Sequence, residues 1–198
     1  MYKRLFLSTG YLALGLFLTR PAYAHPGHGE ADLVNGFIHP ITGVDHLLAM
    51  VLVGMIAGRI GGRALYTLPS AFLCMMIAGA ASGISGTQLP FFEVGITLSL
   101  IVFGLLLASN ARLGTAIASV LAGAFAVFHG YAHGSEMPLS SDAIGYAAGF
   151  LAATALLHLL GIVIYYASSR FGQTLKVLPR LVGGVSMVFG AMLATGLA

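Results

Sequence analysis

Charge is what this sequence has least of. Only 8% of its 198 residues are Asp, Glu, Lys or Arg, against about 25% in an ordinary soluble domain. A chain so poor in charge cannot cover a water-facing surface, which leaves lipid as its solvent. Tryptophan is absent and cysteine occurs once, at Cys74. A lone cysteine in an apolar run forms no intramolecular disulfide and reads as packing, not as a ligand. The only lysines are Lys3 and Lys176. Neither closes a GxxxxGK[ST] loop, so ATP hydrolysis by this chain is excluded on that motif. The net charge of +3 carries no basic patch. Lys3, Arg4 and Arg20 fall in a segment expected to be removed, and the remaining cations equal the acids in number. No nucleic-acid partner follows from this balance.

What the chain does have is apolar sequence, 58% of it, and 27 glycines. Lys3 and Arg4 precede an apolar stretch from Leu5 to Leu18, then Pro21 and the small-x-small triplet Ala22-Tyr23-Ala24. This is the pattern of a secretory signal, and the stretch is short for a spanning helix. Residues 1–24 are therefore expected to be a cleaved signal peptide and 25–198 the functional domain, beginning at His25 outside the cytoplasm.

Six apolar spans follow: Leu33 to Gly58, Leu65 to Ser85, Phe91 to Ser109, Leu113 to Tyr131, Ala143 to Ala167 and Leu178 to Leu197. Each is long enough to cross as a helix, and alternating strand segments are not seen. The expected fold is an all-α polytopic membrane bundle of six transmembrane helices. Turn residues fill the connections: Gly61-Gly62, Gly86 with Pro90, Asn110, Pro138 with Ser140-Ser141, and Gly172 with Pro179. With an external start, Arg59, Arg63, Arg112, Arg170, Lys176 and Arg180 all fall in cytoplasmic loops, as the positive-inside rule requires. Glu30, Asp32, Glu93, Glu136 and Asp142 fall at the outer side, and Asp45 in the outer half of span one. Both mature termini are then periplasmic, with the protein in the inner membrane. GxxxG spacings at Gly54/Gly58, Gly79/Gly83, Gly130/Gly134 and Gly145/Gly149 mark faces where helices approach closely. Three spans followed by three allow an inverted repeat, although the halves show no sequence match.

Ionisable groups inside a membrane cost about 2.5 to 3.5 kcal/mol each at mid-depth and are functional by default. Here they form two clusters. Span one carries His39-Pro40-Ile41-Thr42-Gly43-Val44-Asp45-His46. In a regular helix His39 and His46 lie about two turns apart, too far for one ion. Pro40 removes an N–H and Gly43 is close by, so a broken or kinked helix is expected there, as at transporter ion sites. Span four closes with Phe128-His129-Gly130-Tyr131-Ala132-His133-Gly134-Ser135-Glu136. His129 and His133 have the i, i+4 spacing by which two histidines on one helix bind zinc, and Glu136 returns to the same face. Both clusters lie in the outer halves of their spans.

Imidazoles with carboxylates and no thiolate suit a borderline divalent ion such as nickel. For an isolated histidine, a hydrogen bond to a neighbouring helix is the ordinary role. Two clusters at one depth, each with an adjacent acid, favour metal. The candidate ligands are His39, Asp45, His46, His129, His133 and Glu136. Weaker candidates are His25 and His28, which open the mature chain as His-Pro-Gly-His, Glu93 at the outer start of span three, and His158. This last residue is sixteen positions into span five, about 24 Å below the outer surface, where a packing role competes with that of an exit ligand. A haem-binding electron carrier would use histidines on two helices but leaves Asp45 and Glu136 without a role. An intramembrane metallohydrolase would need Glu136 as its base. A metal-binding accessory protein that does not transport is a third alternative.

At these residues the chain resembles the HupE/UreJ family of nickel/cobalt permeases. The likeness runs through the HPGHG start of the mature chain, GFIHPITGVDHLLAM in span one, FHGYAHGSE in span four and the six-span layout. The resemblance implies uptake of Ni²⁺ or Co²⁺ for hydrogenase, urease or cobalamin synthesis. It implies no enzymatic activity and no resident cofactor, with the ion itself as partner and cargo. His39, Asp45 and His46 fall in its first motif, and His129, His133 and Glu136 in its second.

Overall fold

Long apolar runs in lipid must satisfy their own backbone groups, and the helix does so within one segment. The computed structural model describes residues 33–109, 111, 113–137, 142–170 and 175–197. The expected signal peptide, His25, His28, Glu30 and Asp32 lie outside the described residues. Among the described residues are seven α-helices, one short 3-10 turn (Leu175–Val177) and no strand. The helices are α1 (Leu33–Thr42), α2 (Val44–Ile60), α3 (Ala64–Ile84), α4 (Phe92–Ala108), α5 (Thr115–Glu136), α6 (Ala143–Arg170) and α7 (Leu178–Ala194). Two connections fall at expected turn glycines, with Gly61, Gly62 and Gly86 all at positive φ. Pro179, expected in a connection, instead lies in the first turn of α7, and Asn110, Pro138, Ser140, Ser141 and Gly172 lie outside the described residues.

Span one is two helices, not one. α1 and α2 meet at 86°. The expectation of a break is met, but its position is Gly43, not Pro40. Pro40 is held buried inside α1. Gly43 is extended, with φ −85° and ψ 111°, and its carbonyl starts the new helix by accepting from Leu47 N at 2.9 Å.

α3, α5 and α6 are long and apolar enough to cross a membrane, and the bent α1–α2 pair adds a fourth crossing if counted as one. α4 and α7 are apolar helices of 17 residues each, at the lower edge of spanning length. α2 sits at the centre, with every residue from Ala49 to Gly58 buried. Large apolar side chains point outward elsewhere, including Ile117 and Val120 on α5, Leu156, Leu159 and Val163 on α6, and Val185 and Val188 on α7. A helix whose outer face is this apolar has lipid for a neighbour.

Small residues set the packing. α3 lies along α5, α6 along α1 and α2, and α4 along α7. Two of the four GxxxG pairs face each other across the α3–α5 seam: a Cβ on Gly79 would meet the Val127 carbonyl, and one on Gly130 the Met76 carbonyl. Gly54 and Gly58 pack on α6. Of the last pair, both on α6, only Gly149 meets a neighbouring helix, at Leu33 and Phe37 of α1, while Gly145 faces Asp142 of its own turn.

The α2–α6 and α5–α3 seams are built alike. Gly54 meets the His158 carbonyl where Gly130 meets that of Met76. Gly161 meets Val51 O and Met55 N where Gly79 meets Val127 O and Tyr131 N. α4 and α7 cross reciprocally. Gly104 faces Gly183 O and Met187 N, and Gly183 faces Gly104 O and Ala108 N.

Candidate metal site

The bend at Gly43 brings together what a straight helix keeps apart. His39, on α1, lies with its ring 4.8 Å from that of His133 on α5. His46, in the first turn of α2, lies 4.3 Å from His133 and 4.8 Å from His129. Four imidazoles from two distant segments thus touch at one place. His39, His133 and Glu136 each offer a ligand atom, and these atoms lie within 4.8 Å of one another. Few-ångström adjustments of side chains bring such a set to metal–nitrogen distances of about 2 Å.

Neighbouring groups fix the ring tautomers. Ser99 Oγ lies 2.6 Å from the Ile96 carbonyl and 2.9 Å from His129 Nε2. A hydroxyl has one hydrogen, and the carbonyl can only accept it, so Ser99 accepts from Nε2–H. His129 Nδ1 then carries the lone pair. It is buried and has no hydrogen-bond partner among the described residues. His46 follows the same logic with its nitrogens exchanged. Nδ1 lies 2.9 Å from Asp45 Oδ1, which as a carboxylate accepts; in the neutral ring the lone pair then falls on Nε2, which has no partner among the described residues. A carboxylate or other acceptor behind a histidine is the usual way a metal-binding imidazole is oriented. Both nitrogens of buried His133 are likewise unpartnered among the described residues.

The six candidates therefore separate by position. His39, His133 and Glu136 make the closest group, His46 and His129 adjoin it, and Asp45 engages His46. The side is graded in exposure, from buried His129 and His133 to exposed Glu136. Glu93, exposed in the first turn of α4, is within electrostatic reach of Glu136, as are His46 and Asp45. His158 is away from this group, buried on α6.

Sequence reasoning missed Ser99, Tyr146, Phe150 and Phe72. Phe150 covers His133 at 4.3 Å and Tyr146 stands 5.8 Å from His39. Phe72 touches both His129 and His158. Ser99 had one available signal, a hydroxyl that with Thr97 interrupts the apolar run ITLSLIVFG. A lateral groove of about 240 Å³ between α3, α5 and α6 also borders His133, but Met76, Ile77, Ala80, Ile84 and Leu151 give it apolar walls. It is a gap between helices beside the imidazoles, and among the described residues His133 is the only His, Cys, Asp or Glu that lines it.

Residues 12–193 match the family model described as HupE / UreJ protein. The chain is 45% identical over 182 residues to Protein HupE of Rhizobium leguminosarum bv. viciae, covering 91% of this chain and 94% of that one. No solved structure matches. The matched region includes both histidine clusters and the described helices up to, but not including, the last residue of α7, and the chain belongs to the HupE/UreJ family.

Proposed function

We propose that this protein takes up a divalent transition-metal ion, Ni²⁺ or Co²⁺, across the inner membrane as a secondary permease. The observation that carries the reading is the convergence of His39, His46, His129 and His133 with Glu136 at one end of the bundle. Imidazole with carboxylate suits these ions. The site also leans on a broken helix, where irregular backbone is tolerated because it lines a pathway.

In this reading six crossings follow a cleaved signal peptide, and both mature termini are periplasmic. The cytoplasmic loops carry Arg59, Arg63, Arg112, Arg170, Lys176 and Arg180, while Glu93 and Glu136 stand at the outer entry. With six crossings α2 and α5 run in opposite directions. The matched α2–α6 and α5–α3 seams are then those of an inverted repeat, a common transporter plan. Glu136 and Glu93 attract the hydrated ion, and His39 and His133 replace its first waters. His46, aimed by Asp45, and His129, aimed by Ser99, pass it inward. The membrane potential suffices as a drive: a divalent cation gains about 4.6 kcal/mol per 100 mV. That corresponds to roughly three orders of magnitude in accumulation.

A haem carrier fits less well, because imidazole rings already in mutual contact leave no slot for a porphyrin between them. The test is flux. Proteoliposomes holding the purified full chain and an inside-negative potential should accumulate nickel or cobalt. Tight binding without accumulation would assign a non-transporting metal-binding role instead.

A further inference from the structure

We propose that His158 and Thr154 form a second, inner station for the transported ion, separated from the outer imidazoles by the ring of Phe72. This rests on the transport reading and adds a site to it.

The observation is a set of polar atoms buried at a cost that packing does not explain. His158 is 1% exposed, and neither of its ring nitrogens has a hydrogen-bond partner among the described residues. Thr154, one helical turn earlier on α6, is 0% exposed, and its Oγ1 is equally unpartnered. Burying unsatisfied polar groups is unfavourable, and leucine and valine would fill the same volumes without that penalty. Gly54 of α2 packs against the His158 backbone carbonyl, and the ring beside the imidazole is that of Phe72.

Position gives the pair a role. Tyr146, Phe150, Thr154 and His158 recur every fourth residue along α6 and share one side of that helix. The first two stand against His39 and His133. The last lies about 12 Å further along the axis than Phe150. Phe72, fully buried on α3, has its ring 5.7 Å from that of His129 and 5.1 Å from that of His158. One aromatic ring is thus in contact with the innermost imidazole of the outer cluster and with the isolated imidazole below it. A rotation of that side chain would open a direct step from His129 to His158. One imidazole and one hydroxyl hold a divalent transition metal weakly, with water completing its shell. Weak holding is what an exit position needs, since the ion must leave it.

The test uses the purified full chain with Co²⁺ as probe, following flux into proteoliposomes and the visible Co²⁺ absorption of the protein-bound ion. His158→Leu keeps the apolar volume and removes the ligand. It should retain the Co²⁺ spectrum of the outer cluster and lose about tenfold or more in flux, a loss at least as large as that for removing a supporting group. His158→Cys, which restores a ligand, should recover part of the flux, and Thr154→Val should give a smaller loss than His158→Leu. Wild-type flux in His158→Leu overturns the inner station. So does loss of the outer-cluster spectrum in His158→Leu with no recovery in His158→Cys, which marks His158 as a packing residue. A wild type that binds Co²⁺ and moves none of it removes the transport reading, and this station with it.

Discussion

Asp45 Oδ1 lies 2.9 Å from His46 Nδ1, the neighbouring residue in the chain, and also accepts from the His46 backbone N–H at 2.9 Å. One carboxylate oxygen thereby holds the ring of His46 and one backbone N–H of the first turn of α2, immediately after the Gly43 break. In the proposed reading its part in metal binding is indirect, through the orientation it gives the His46 ring.

Asp45→Asn should therefore weaken metal binding without abolishing it. An amide can still accept at its oxygen but no longer stabilises charge developing on the imidazole. Loss of such a supporting carboxylate costs about 10- to 100-fold in affinity or activity. Isothermal titration of the purified variant with Ni²⁺ reads this directly.

Ser99→Ala should act through His129 alone. Removing the hydroxyl frees His129 Nε2 and the tautomer it enforces, and a loss of about tenfold in affinity is expected. In a double-mutant cycle with His129→Ala the two effects should be strongly non-additive, because Ser99 has nothing to orient once the ring is gone.

Bound metal should stabilise the fold. An ion that binds only the native state adds about 2.7 kcal/mol at a hundred times its dissociation constant. Nickel or cobalt should raise the unfolding temperature of the wild type in detergent and leave that of His133→Ala almost unchanged. Chelator should reverse the shift.

The glycine seam predicts a contrast within one residue type. A Cβ on Gly130 would fall on the Met76 carbonyl, whereas one on Gly184 of α7 meets nothing within 4 Å. Gly130→Ala must push α3 from α5 and should cost about 1 to 3 kcal/mol. Gly184→Ala should be neutral or stabilising by up to about 1 kcal/mol, through helix propensity. Thermal unfolding of the two variants side by side decides it.

The sequence carried the imidazole clusters because their spacing is a property of the helix. His129 and His133 at i, i+4 and Glu136 at i+7 had to share a face, and the structure has them on one unbroken helix. It also signalled that His39 and His46 needed a break between them. Where the break falls was not readable. Pro40 and Gly43 both weaken a helix, and only tertiary packing, with Pro40 buried inside α1, selects Gly43. Ser99 escaped notice because a hydroxyl in an apolar helix ordinarily bonds back to its own carbonyls, as this one also does. The likeness of the α2–α6 and α5–α3 seams escaped for a different reason. It is a likeness of backbone register, and the paired positions share only glycine or valine at a few points, Val51 with Val127 among them.

Nickel X-ray absorption of the purified, loaded protein measures the claim that two segments distant in the chain supply one ion. The expected spectrum shows several imidazoles with carboxylate or water oxygen. His39→Ala and His133→Ala, on α1 and α5, should each remove one imidazole from it. A spectrum with oxygen neighbours alone, or one that neither substitution alters, would mean that the imidazoles meeting at the bend bind no common ion.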